Sequence, residues 1–172
     1  HQWGDYQGWF LEETPRGHRV LGWDWFGITL DDGRAILIHV HRREGNGAPL
    51  GRFAIYFNGG SVFTLDGGFS LTPAREWRSD RTHTIYPVQW TIDLPALGIN
   101  LQLVPASDDQ EIPVYGIGAI WEGIVDVTGT EHGRPVSGRG RIELVGYATV
   151  TSIVEHFRRH FGMAHAKGIF GQ

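Results

Sequence analysis

The apolar runs of this chain are short, and glycine-bearing turn signals cut them at near-regular intervals. Trp23 to Leu30 ends at Asp31-Asp32-Gly33 and is followed by Ala35 to Arg43, the pattern of two strands joined by a tight hairpin. Arg52 to Phe57, Ser61 to Leu65 and Phe69 to Leu71 come next, separated by Asn58-Gly59-Gly60 and Asp66-Gly67-Gly68. Both separators accept positive φ, so these runs predict a meander. Beyond a polar linker at Pro73 to Arg81 lie His83 to Asp93, Ile99 to Val104, Ala119 to Val127 and Ser137 to Tyr147. Eight or nine short strands at this spacing predict an all-β fold, an antiparallel barrel or sandwich. No parallel βαβ pattern and no internal repeat occurs.

The C-terminus departs from this period. Val150, Ile153, Val154, Phe157 and Phe161 recur on one helical face, with Ser152 and Glu155 in capping-box spacing. They predict a terminal amphipathic α-helix of about three turns. The chain thus divides into an N-terminal segment (1–22), a β-domain (23–148) and a helix with tail (149–172).

Composition bounds the functions this fold could serve. The 172 residues suit one domain, and 41% hydrophobic with 20% charged residues excludes a disordered or collagen-like chain. Net charge is −4 and no basic run exceeds two residues, so counterion-driven nucleic-acid binding has no footprint. No apolar stretch approaches the roughly 18 residues of a membrane span, and no signal peptide is read. The absence of cysteine excludes disulfides and thiolate chemistry and leaves the compartment open. The first residue is His1, which suggests a processed product, a cloned domain or one half of a longer protein. Seven Trp, nine Phe and five Tyr supply ring surface that must fill a core or line a cavity.

Several patterns bear on chemistry. His39 and His41 sit at i and i+2, on one face of a strand, where two imidazoles could share a metal. With Gly33, Glu44 and Gly51 they resemble the first metal motif of cupins, but the His41 to Glu44 spacing is one residue short and no second motif follows. The preferred reading makes them polar residues on the solvent or cavity face, opposite Ile36, Ile38 and Val40. His156 and His160 have ligand spacing on a helix, yet two arginines lie between them and no zincin glutamate does, so they read as surface histidines. No nucleophile elbow, P-loop or dinucleotide fingerprint is present. An aromatic and acidic set remains: His1-Gln2-Trp3-Gly4-Asp5, Gly22-Trp23-Asp24-Trp25-Phe26, Tyr86-Pro87-Val88-Gln89-Trp90 and Trp121-Glu122-Gly123.

Those residues carry a resemblance. His1-Gln2-Trp3-Gly4, Gly22-Trp23-Asp24-Trp25-Phe26 with Leu30-Asp31-Asp32-Gly33, Trp77-Arg78-Ser79, Tyr86-Pro87, Asp109-Gln110-Glu111, Trp121-Glu122-Gly123, and Gly138-Arg139-Gly140 leading to Glu143-Leu144-Val145-Gly146-Tyr147 run in order over residues 1–148. The chain resembles the lipocalin-like carotenoid 1,2-hydratase (hydroxyneurosporene synthase) and AttH-like family. The resemblance implies a lipocalin-like β-barrel, here the second of two consecutive barrels, with residues 1–22 at the junction between them. It implies hydration of a terminal double bond in acyclic carotenoids or related prenyl groups, and it extends to fungal Diels–Alderases and to members without an assigned reaction. The catalytic His and Trp carry over to His1 and Trp3. A further family Tyr and Asp are not reproduced where this chain has Ile38, His39, Val40 and His41.

Hydrating a trisubstituted alkene means protonating one carbon, holding a tertiary cation and delivering water to it. The acid must stay protonated, as a buried carboxyl can. Asp24, between two tryptophans, is the best placed carboxyl, and aromatic faces would stabilise the cation. Alternation puts Trp23 and Trp25 on one strand face and Asp24 on the other, so one cavity cannot take all three. The tryptophans are favoured for the cavity, with Asp24 as acid and His1 as the alternative. The expected catalytic residues are His1, Trp3 and Asp24; the expected ligand-binding residues are Trp23, Trp25, His39, His41, Tyr86 and Trp121. No metal or cofactor is expected. The expected partners are an apolar small molecule and a second barrel or second copy, seated on an apolar patch near the N-terminus. A lipocalin-like module that binds an apolar ligand without catalysis, a pericyclase and a cupin-like enzyme are the competing functions.

Overall fold

The computed structural model describes residues 20–43, 49–114 and 118–148. Among these residues ten strands run in order: β1 (Val20–Leu30), β2 (Ala35–Arg43), β3 (Pro49–Asn58), β4 (Ser61–Leu65), β5 (Ser70–Arg78), β6 (Ile85–Leu94), β7 (Ile99–Pro105), β8 (Glu111–Val114), β9 (Gly118–Glu131) and β10 (Arg134–Val145). They form one antiparallel sheet in the order β4-β3-β2-β1-β10-β9-β7-β6-β5, with β8 also paired to β9. Tight turns account for most neighbours. The β3–β4 hairpin turns through Gly59 and Gly60 at φ 54° and 112°, where a side chain would be strained.

Alternation decides which face is the core. In β7 Ile99, Leu101 and Leu103 are buried while Asn100, Gln102 and Val104 are exposed. In β1 Asp24, Phe26, Ile28 and Leu30 point inward. The inner faces then meet one another. Phe26 of β1 and Trp90 of β6 are four strands apart in the sheet, roughly 19 Å if it were flat. Their rings instead make an edge contact at 5.2 Å between centroids. The sheet is therefore curled into a lipocalin-like half-barrel around a single apolar core.

A polar cluster closes one end of this half-barrel. Arg34, in the β1–β2 turn, donates to the Tyr56 hydroxyl at 2.9 Å and pairs with Glu131 at the end of β9. The Tyr56 hydroxyl donates to the same Glu131 at 3.0 Å. The opposite end, where β1 begins and β2 and β10 finish, carries the cavity described below.

The structure bears out the antiparallel all-β lipocalin-like expectation, with differences of detail. Among the described residues the count is ten strands, because most of the polar linker at Pro73 to Arg81 belongs to β5 and Glu111–Val114 forms β8. β5 is an edge strand, exposed along most of its length and bulged on either side of Arg75. An edge tolerates Pro73 and needs no apolar face, which hides such a strand from a hydrophobicity pattern. The predicted terminal helix and the N-terminal motif segment lie outside the described residues.

Candidate active site

Three elements bring a carboxylate, a guanidinium and a phenol together at the open end of the half-barrel. Asp24 pairs in register with Val40 of β2 and Leu144 of β10 and so faces inward. Arg42 lies two residues beyond Val40 on the same face. Beyond β10 the chain turns at Gly146, at φ 83°, before Tyr147.

The contacts are specific. Arg42 Nε donates to Asp24 Oδ2 at 3.0 Å and Arg42 Nη2 donates to the Val145 carbonyl at 2.9 Å. The guanidinium lies 4.0 Å from the centre of the Tyr147 ring, close enough for cation–π attraction. The Tyr147 hydroxyl donates to Asp24 Oδ1 at 3.1 Å. Gly22 makes this arrangement possible, since a Cβ there would fall 2.5 Å from the Val145 carbonyl oxygen and 3.4 Å from Arg42 Nη2.

Asp24 is 4% exposed and Arg42 5%. Burial raises the Asp24 carboxyl above the ordinary aspartate range, and it outweighs the opposing charge and hydrogen bond of Arg42 and the hydrogen bond from Tyr147. The Tyr147 phenol is pushed well above its usual range, first by burial and then by the neighbouring Asp24 carboxylate. Both groups hold protons more tightly than they would in water.

They border a cavity of about 310 Å³, lined also by Val40, Arg52, Leu71, Glu76, Ile85, Pro87 and Trp90. The Trp90 indole is fixed by an N–H bond of 2.6 Å to the Pro87 carbonyl. The lining mixes apolar side chains and the fixed Trp90 ring with the charged Asp24, Arg42, Arg52 and Glu76.

The other expected site residues fall elsewhere. Trp23 and Trp25 lie on the outer face of the sheet, the reverse of the favoured placement, because β1 directs Asp24 and Phe26 into the core. Trp25 lies flat across Gly27, where a Cβ would stand 2.3 Å from the indole. It borders a separate hollow of about 350 Å³ with Leu37, Ile55 and Phe57. His39 and His41 share this outer face, with rings stacked at 4.3 Å. His39 is buried, its Nε2 has no hydrogen-bond partner, and burial with the nearby His41 pushes its pKa down to about 4. Among the described residues no group of three or more His, Cys, Asp or Glu could hold a metal.

Tyr86 and Trp121 are core residues. The Tyr86 hydroxyl donates to Glu111 Oε1 at 2.8 Å, and the Trp121 indole donates to the Asp108 carbonyl at 2.7 Å. Glu111 is a second buried carboxylate, bonded by Ser79 at 2.6 Å and Thr82 at 2.5 Å, with Arg81 Nε at 3.4 Å. His1 and Trp3 lie outside the described residues. Arg42, Trp90 and Tyr147 are the site residues missing from the expected set, Trp90 and Tyr147 being noted only within motifs. Register was the available signal for Arg42, since it shares the inward parity of Ile36, Ile38 and Val40.

Comparison with known proteins gives a consistent picture. The AttH-like family model matches residues 3–147. A kievitone hydratase from Fusarium solani subsp. phaseoli is 36% identical over 72 residues, 41% of this chain and 20% of that protein. Among solved structures, an AttH protein from Nitrosomonas europaea superposes with a TM-score of 0.63 at 33% identity, over 75% of this chain and 39% of that one. Kievitone hydratase from Nectria haematococca superposes with a TM-score of 0.62 at 22% identity, over 76% of this chain and 40% of its own, a likeness of fold. The chain therefore spans about two fifths of the length of these solved relatives.

Proposed function

Because this chain belongs to the AttH-like family, we propose that it binds an apolar prenyl or polyene ligand in the cavity beside Asp24 and adds water across one of its C=C bonds. The observation that carries this reading is the buried Asp24 carboxyl, held at the cavity wall and more reluctant to ionise than a free aspartate. Such a group keeps its proton to higher pH than a free aspartate does, the direction a general acid needs.

The surroundings support each stage. A tertiary cation formed by protonation meets the ring of Trp90, whose face stabilises positive charge by about 0.5–2 kcal/mol, while the Tyr147 face is engaged by Arg42. As Asp24 releases its proton, the carboxylate left behind pairs with Arg42 at 3.0 Å, so the product of proton transfer is neutralised where it forms. The resemblance adds His1 and Trp3 as further catalytic candidates. Carotenoids and prenyl-substituted phenols are the substrate classes to try.

The Arg42 contact also favours a second reading. A guanidinium on the carboxylate stabilises the ionised form, as a structural ion pair would, and the half-barrel would then be a lipocalin-like binding module without catalysis. The partly buried Trp23, Trp25, Leu37, Phe53 and Ile55, with Phe57 45% exposed, form an outer face suited to a second barrel.

The experiment is incubation with a prenyl-substituted phenol and with an acyclic carotenoid in D₂O. One deuterium at the protonated carbon of a hydrated product is the expected result. A bound, unlabelled and unchanged probe supports the binding module and rejects the hydratase.

A further inference from the structure

The two Asp24 oxygens are not equivalent, and their difference bears on which atom delivers the proton. Oδ2 faces Arg42 Nε–H at 3.0 Å, a donor that cannot accept a hydrogen bond. A proton on this carboxyl therefore resides on Oδ1, and Oδ1 lies 3.1 Å from the Tyr147 hydroxyl. When Asp24 is protonated, its O–H points at the Tyr147 oxygen, and the phenol must turn its own hydrogen elsewhere. Both residues line the cavity, while the Asp24 side chain is only 6% exposed.

Resting on the hydration reading, we propose that Tyr147 is a catalytic residue that hands its hydroxyl proton to the alkene carbon, with Asp24 behind it as the proton reservoir. In the first step the Tyr147 O–H bond breaks as the new C–H bond forms, and the Asp24 O–H bond breaks as the Tyr147 O–H is remade. The ligand is left as a tertiary cation and Asp24 as a carboxylate paired with Arg42. Water then bonds to the cation, and the proton it loses returns through Tyr147 to Asp24 Oδ1. The sum is one H₂O added across C=C, with both residues restored.

Arg42 has a positioning part, because it occupies Oδ2 and holds the face of the Tyr147 ring at 4.0 Å. The other charged groups at the cavity are Arg52 and Glu76.

The test compares full-length wild type, Tyr147→Phe and Asp24→Asn on a prenyl-substituted phenol in D₂O, with probe affinity and kcat measured from pH 5 to 9. The Phe variant keeps the ring under Arg42. It is expected to bind the probe within about threefold of wild type and to lose kcat on the order of 10²-fold across the whole pH range. If Tyr147 only tunes Asp24, the Phe variant shifts the pH at which activity falls and keeps its plateau within a few fold, which overturns the relay. Full turnover in Asp24→Asn rejects the acid assignment itself, whereas an inactive Asp24→Asn beside an active Tyr147→Phe rejects only the relay. A wild type that turns over no probe rejects hydration and the relay with it. Should Tyr147→Phe fail to fold, fluorotyrosine at 147 retains ring and hydroxyl; a plateau rate that follows phenol acidity supports the relay, and an unchanged one overturns it.

Discussion

Two carboxylates are buried in this half-barrel to nearly the same extent, Asp24 at 4% exposure and Glu111 at 5%, and their surroundings differ in kind. Glu111 meets four donors from Ser79, Thr82, Tyr86 and Arg81. They gather the β5–β6 turn onto β8, a task the bidentate Arg75–Asp108 pair shares at 2.7 Å for each bond. Asp24 meets two donors, Arg42 and Tyr147, and borders an open cavity. Saturation with donors fixes a loop, whereas partial saturation beside a cavity leaves an oxygen able to exchange a proton. On the proposed reading, the count of donors and the presence of free volume, not burial, separate the acid from the structural carboxylate.

The sharpest way to break this contrast is to make the same carboxyl-to-amide change at both positions. Asp24→Asn should lower kcat by about 10²–10⁴-fold, the usual scale for loss of a general acid. Glu111→Gln should leave kcat within a few fold of wild type in the protein that remains folded. Steady-state turnover of a prenyl-substituted phenol measures both. Equal losses would mean that the two carboxylates serve the same end.

Stability should rank them the other way. A glutamine at 111 offers one acceptor oxygen and sets an NH₂ against groups that donate to Glu111, so at least one buried donor loses its partner, a cost of about 1–3 kcal/mol each. An asparagine at 24 can turn its oxygen to Arg42 and its NH₂ to the Tyr147 oxygen, so Arg42 keeps its acceptor and only the Tyr147 hydrogen must turn away, beside the cavity. Urea unfolding should therefore place Glu111→Gln roughly 3 kcal/mol below wild type and Asp24→Asn within about 1 kcal/mol. The reverse order would show that the Asp24–Arg42 pair is the stronger structural tie.

How far each carboxylate could be read beforehand follows from the range of its contacts. Period-2 alternation in β1 and the turn at Asp31-Asp32-Gly33 were local, so the strand, its hairpin and the opposed faces of Asp24 and Trp25 were legible. Which face turns inward was not local. It depends on Phe26 meeting Trp90 across four strands, and reading the tryptophans as cavity residues assigned the two faces in reverse. Arg42 and Tyr147 reach Asp24 from 18 and 123 residues away in sequence, beyond any spacing rule. Glu111 was quoted only as part of a motif, because its donors come from the β5–β6 turn and the start of β6, 25 to 32 residues earlier, and the polar edge strand before that turn has no hydrophobic pattern to mark it.

The smallest expected effect lies in how stability depends on pH, and it tests the electrostatic half of the contrast directly. The Asp24 carboxyl is raised above 3.8 in the folded protein, so the folded state keeps this proton after the unfolded chain has released its own. The folded state then binds more protons, and this group's contribution falls as pH rises from about 3.8 through the folded pKa, beyond which it is constant. His39 acts in the opposite direction over part of the same range. Its folded pKa of about 4 lies below the ordinary 6.5, so its contribution is full above 6.5 and is lost as pH falls toward 4. A wild-type curve alone therefore mixes two slopes of opposite sign. The difference between Asp24→Asn and wild type cancels His39 and leaves Asp24. In urea midpoints taken from pH 4 to pH 8, the variant should gain on wild type as pH rises and then run parallel to it. The slope must stay below about 1.4 kcal/mol per pH unit, the limit for one proton. A flat difference would mean that Asp24 ionises in the fold as readily as in the unfolded chain, and that the donors on it decide its state as completely as those around Glu111 fix that residue's place.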